Sequence, residues 1–234
     1  PYPSKKSNYK LKKTALEVVG QNSRIFINEN LVEDYFNYHH ETTSISDLIK
    51  SVENNTNSDA FILASYEDIG VETIRKMTSK PILGIGEASF YTANIIANKF
   101  SIITNISQTN EVIKNNLIKY DMDHKFVSLN SIEFPILDME TMSKGNIKKL
   151  EHEIQRTISE ERPEAIIITS AGISDLTKTL SDKYGLAFIE GITAATTLIE
   201  NLIKLNLKIK KFEIKPSRNL GIPIWHYINS FFLS

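Results

Sequence analysis

An α/β fold built on parallel sheets is what the 234-residue chain predicts, and three observations predict it. Short apolar runs at Ala60–Ala64, Ile82–Ile85 and Phe100–Thr104 are separated by helical patterns, as in strands joined by crossover helices. Polar residues or glycine follow each run: Ser65 and Tyr66, Gly86 and Glu87, Thr104 and Asn105. In parallel sheets ligands collect beyond the carboxyl ends of the strands, which makes these pairs the first site candidates. The third observation is repetition. SDAFILASYEDIG (58–70) and RPEAIIITSAGIS (162–174) share one design, a buried strand delivering a serine, Ser65 or Ser170, beside the start of a helix. An internal duplication into two facing lobes, with the serines on opposite walls of a cleft, accounts for the pattern.

In chain order, Leu11–Val19 has helical spacing with Gly20 as its stop, and Arg24–Ile27 reads as a short strand. A helix is expected from Ser44 to about Asn54. Asp47 stands three residues on in a capping-box-like position, and Ile45, Leu48, Ile49 and Val52 form its inner face. Asn110–Tyr120 is amphipathic, Lys125–Leu129 suits a strand, and a charged helix spans about Glu140 to Ser159. Ala165–Ile168 is an apolar strand, and Lys183–Leu207 reads as strand, turn and helix.

Composition narrows the function. Basic and acidic side chains balance at 27 and 28, leaving no electrostatic footprint for nucleic acid or an anionic membrane. Apolar runs are too short for a membrane span and no signal peptide opens the chain, so a cytoplasmic protein is expected. The absence of cysteine excludes disulfides and zinc–thiolate sites. His39 and His40 form no ligand pattern with His124, His152 or His226, so no metal is expected. The chain opens on Pro1 rather than methionine, and further residues upstream are expected.

ILGIGEASF (82–90), KFSIITN (99–105), IIITSAGISDL (166–176) and AFIEGITAATTLIENLIKL (187–205), in this order, resemble the aspartate/glutamate/hydantoin racemase superfamily, and within it the hydantoin/allantoin racemase branch. The resemblance implies two similar lobes with parallel β-sheets flanked by helices, related by a pseudo-two-fold, with the active-site cleft between them. The lobes expected are 1–106 plus about 207–234, and 107–206. It also implies cofactor-independent proton transfer at a carbon next to a carbonyl. One cysteine thiolate removes the proton and a thiol on the opposite face returns one, which suits a group whose pKa of about 8.5 helix N-termini can lower.

By the same resemblance Ser65 and Ser170 occupy the positions of the two catalytic cysteines. ASYEDIG stands where the family has A-C-F-x-D-P-G, and TSAGI where it has G-C-A-G-M. Tyr66, Thr104, Asn105, Ala171 and Gly172 are the implied substrate-binding residues, the last two through backbone N–H groups. The implied partner is a small-molecule substrate, an amino acid, hydantoin or ureide, and a homo-oligomer stays open. A serine hydroxyl is a poor carbon base, so replacing both sulfurs raises the barrier by on the order of several kcal/mol. Three readings follow: deliberate cysteine-to-serine replacement, natural divergence to a non-catalytic small-molecule binder, or recruitment of another base. For the last, Glu87, Asp68, Glu190 and Tyr66 are on offer.

Overall fold

The computed structural model describes residues 5–27, 41–133, 144–170 and 174–210. Its strands form two parallel sheets flanked by helices. Helices α1 (Lys5–Val18) and α2 (Glu41–Asn54) precede β1 (Phe61–Leu63), which pairs in parallel with β2 (Ile82–Gly84) across the short α3 (Val71–Arg75). Leu63, Val71, Ile74 and Ile82 form the core of this lobe, with Leu48 and Val52 of α2 packed on it.

Helix α4 (Ile85–Ile96) leads to the second sheet, which holds β3 (Phe100–Thr104), β4 (Phe126–Ser131), β5 (Ala165–Ile168) and β6 (Ala187–Ile189) in the order β4-β3-β5-β6. Its connections are α5 (Asn110–Lys119), α6 (Lys144–Glu161) and α7 (Ser174–Tyr184), and α8 (Gly191–Lys204) follows β6. Both faces are covered, so the central strands β3 and β5 are buried at every residue and mostly apolar. Side chains still alternate. Ile102 and Ile167 face a core shared with Phe90 of α4, Leu117 of α5 and Ile192 of α8. Ile103, Ile166 and Ile168 face Leu150 and Ile154 of α6 and Leu180 of α7.

Several expectations need correction. Phe100–Thr104 was expected in the first lobe, with a split near Ile106. It pairs with β4 and β5 at the centre of the second sheet, because its ladder partners lie downstream in the chain. Arg24–Ile27 pairs with no described strand; Ile25 instead packs against the core as irregular backbone. Helix α2 starts at Glu41, so Ser44 lies inside it rather than at its cap, and α1 begins at Lys5, six residues before the apolar spacing does. The segments 134–143 and 211–234, on which the start of the charged helix and the chain's expected return to the first lobe fall, lie outside the described residues. The last described residues do reach the loop before β2, where Ile209 N–H donates to Ser79 O at 2.9 Å.

Candidate functional site

The order β4-β3-β5-β6 contains a reversal. From β3 the chain moves outward through α5 to β4, then crosses back through α6 to β5 on the other side of β3. Helix α5 accordingly covers one face and α6 and α7 the other. The carboxyl ends of β3 and β5 therefore border a topological switch point, the crevice in which open α/β sheets bind ligands. Thr104 and Asn105 end β3, and Thr169 and Ser170 end β5. Thr169 N–H donates to Ile103 O at 2.9 Å, so the ends are adjacent.

The loop after β1 lies against the same place. Tyr66 is buried, and its hydroxyl donates to Ile168 O at 2.9 Å and accepts from Gly191 N–H at 2.7 Å. It thus joins the end of β5 to the first residue of α8, with Ser65 preceding it in the chain and Ser170 two residues beyond its acceptor. On the other side, Asn116 of α5 donates through Nδ2 to Glu67 O at 2.7 Å. The loop carrying Ser65 is therefore pinned to helices that follow both β3 and β6. Burial, then the nearby Glu190 charge, pushes the Tyr66 phenol well above its ordinary pKa, so it serves as a neutral strut. Tyr66 was expected to touch substrate; its hydroxyl is spent on the lobe contact.

Asp68 explains how α4 begins. The N-cap residue Gly84 has no side chain, and the first turn would leave N–H groups unpaired. Asp68 supplies the cap from the preceding loop, its carboxylate accepting from Gly86 N–H at 3.1 Å and Glu87 N–H at 2.7 Å, with the Tyr120 hydroxyl donating to Oδ2 at 3.1 Å. The approach is so close that a Cβ on Gly84 would lie 1.8 Å from Asp68 Oδ1, and one on Gly86 2.4 Å from Tyr66 O. Burial pushes the Asp68 carboxyl up to about 7, against the N–H bonds that lower it. Tyr120 is raised by burial and then by the Asp68 charge. At the other helix start, Glu190 caps its own α8, accepting from Ile192 and Thr193 N–H at 3.0 Å, and burial raises it as well. Glu87 lies in the first turn of α4, where it was expected to complement the helix dipole, and forms an ion pair with Arg75.

The four groups offered as alternative bases are thus all engaged: Asp68 and Glu190 as caps, Glu87 in an ion pair, Tyr66 as a strut. A fifth group had no place in the sequence reading. Ser65 Oγ donates to the Glu67 carboxylate, and Glu67 forms no ion pair among the described residues. The family motif leaves the position of Glu67 open, and spacing gives no direction to a side chain in a turn.

Of the remaining expected residues, Thr104 is 1% exposed, and its Oγ1 donates to Ile106 O at 3.3 Å. Asn105 is half-buried and makes no side-chain hydrogen bond to a described residue. Ser170 is buried at 7% exposure. Ala171 and Gly172 lie outside the described residues. For a metal, the described residues bring together Asp121, Asp123 and His124, all exposed on the turn after α5. No described helix is long and apolar enough to cross a membrane.

Comparison with known proteins matches the Asp/Glu/hydantoin racemase family model to residues 9–199. A hydantoin racemase of Pseudomonas sp. (strain NS671) is 28% identical over 178 residues, 75% of this chain and 72% of that protein. Among solved structures, an allantoin racemase from Klebsiella pneumoniae superposes with a TM-score of 0.83 at 23% identity, covering 93% of this chain and 92% of the other. A glutamate racemase from Bacillus anthracis gives a TM-score of 0.64 at 10% identity, over 86% and 79% of the two chains. These structural likenesses are likenesses of fold.

Proposed function

The chain belongs to the Asp/Glu/hydantoin racemase family, and we propose that it performs cofactor-independent proton transfer at a carbon flanked by a carbonyl, in the cytoplasm, on an amino acid, hydantoin or ureide. One observation carries the reading: the loop holding Ser65 is bonded through Tyr66 to the strand end that leads into Ser170. That arrangement suits a ligand held between two walls with one hydroxyl on each. Asn105, whose amide is uncommitted among the described residues, is the group best suited to a substrate oxygen. Thr104 shapes the turn that presents it, and Ala171 and Gly172 supply backbone donors. Such donors stabilise the enolate-like state that forms when the carbon loses its proton.

A second reading has its own observation. The chain has no cysteine, and by the resemblance a hydroxyl stands where the family has each thiol, so a non-catalytic binder of the same ligand class would keep the pocket without the chemistry. Solvent deuterium incorporation at the α-carbon of aspartate, glutamate, hydantoins and allantoin separates the two. Exchange by the chain as it stands supports the enzyme. Saturable binding without exchange, together with exchange by the Ser65→Cys, Ser170→Cys double variant, supports the binder.

A further inference from the structure

We infer that Glu67 is the proton acceptor behind Ser65, so that a serine–carboxylate pair does on this wall what a thiolate does in the family. The inference rests on the proton-transfer reading above and adds a residue to it. Three observations support it. The Ser65 hydroxyl is already oriented, since it donates to the Glu67 carboxylate. Glu67 is half-buried yet paired with no cation among the described residues, unlike Glu87 on Arg75. Its backbone is held by Asn116, which fixes the carboxylate two residues from Ser65 in a loop pinned at both sides. The other nearby carboxylates, Asp68 and Glu190, spend their oxygens on backbone N–H groups at helix starts.

The chemistry balances without a further reactant. The substrate C–H bond breaks, its proton passes to Ser65 Oγ, and its electron pair moves into the carbonyl as an enolate. In the same step the Ser65 O–H bond breaks and its proton passes to Glu67 Oε2. Reversal restores both groups. An unaided serine would have to become an alkoxide; coupling to a carboxylate leaves the negative charge on substrate and moves only protons on the enzyme. Glu67 acts through Ser65 and is a positioning residue in that sense, with the hydroxyl as the group that meets substrate.

The test follows the α-proton of 5-benzylhydantoin and of allantoin in deuterated water by NMR, corrected for uncatalysed exchange, with the affinity of each probe measured by calorimetry. The proteins are the full chain, Glu67→Gln, Glu67→Asp, Ser65→Ala, the Ser65→Ala, Glu67→Gln double variant and the double-cysteine variant. Glu67→Gln is expected to lower the exchange rate about 100-fold or more with probe affinity unchanged within about threefold. Glu67→Asp should keep part of the rate. The Ser65→Ala, Glu67→Gln double variant should be no slower than either single one, as for groups that act as a unit. Exchange by Glu67→Gln within about threefold of the parent overturns the role of Glu67 and leaves the proton-transfer reading standing. Exchange by the double-cysteine variant alone overturns Glu67 and favours the binder. Silence in both chains overturns the proposed function and this inference together.

Discussion

Ser65 and Ser170 each follow an apolar strand, but the two strands are built differently. β5 is four residues long, buried throughout, and paired on both sides by β3 and β6. β1 has three residues, two of them only half-buried, and pairs with β2. The interior strand fixes its own end through the ladder, and Thr169 is still bonded to Ile103 one residue past it. The short strand cannot do so, and its loop is fixed by side chains instead: Tyr66 on Ile168 and Gly191, Asp68 on the α4 N-terminus, Asn116 on Glu67. Asp68 even holds a left-handed φ of 53° to make its bonds. Two strand ends can thus be fixed by different means, and the one that depends on side chains carries a carboxylate beside its serine.

The contrast breaks most sharply at Gly86. Gly86→Ala sets a Cβ against Tyr66 O at 2.4 Å and should cost about 3 kcal/mol or more, read as a fall in the urea midpoint or as failure to fold. Titration comes next. Folded Asp68 keeps its proton up to about 7, whereas the unfolded carboxyl releases it near 3.8, so between these values the folded chain binds the extra proton. Its contribution is therefore complete below about pH 4 and is lost as pH rises to about 7, by up to about 4 kcal/mol. Denaturation as a function of pH should show this limb, and Asp68→Asn should flatten it. A limb that survives would move the titrating group to Glu190, on the self-capped helix.

Tyr66→Phe leaves Ile168 O and Gly191 N–H without their buried partner and should cost about 1–3 kcal/mol in the same assay. Thr104→Val on the second wall removes only bonds of 3.3 and 3.4 Å within its own turn and should cost less than about 1 kcal/mol. Equal losses for these two variants would mean that the walls do not differ in what holds them.

What could be read in advance follows from the range of the forces involved. The run AIII is wholly apolar and FSIIT is buried throughout, and both are bounded by polar turns, so β3 and β5 have the bounds their residues indicate. The apolar stripes Leu48/Val52 and Ile113/Leu117 mark the inner faces of α2 and α5. The ends of the apolar runs located the two serines and the polar pair that closes β3. Arg24–Ile27 shows the limit of such reading: its pattern fits a strand, but strand formation needs a hydrogen-bonded neighbour, and local residues do not supply one. Ser44 shows another, since a good capping residue does not stop a helix from starting three residues earlier.

By itself, then, the sequence determined the alternation of strand and helix, the apolar faces and the positions of the two serines, because burial patterns and turn preferences act over a few residues. Tertiary structure alone decided that β3 joins the second sheet, that Tyr66 ties the lobes across 102 and 125 residues, that Asp68 caps a helix 18 residues on, and that Glu67 turns to Ser65. Each of these is a buried or half-buried polar group taking a partner. Which partner it finds depends on what the folded chain brings within about 3 Å, a relation that spacing along the chain does not encode.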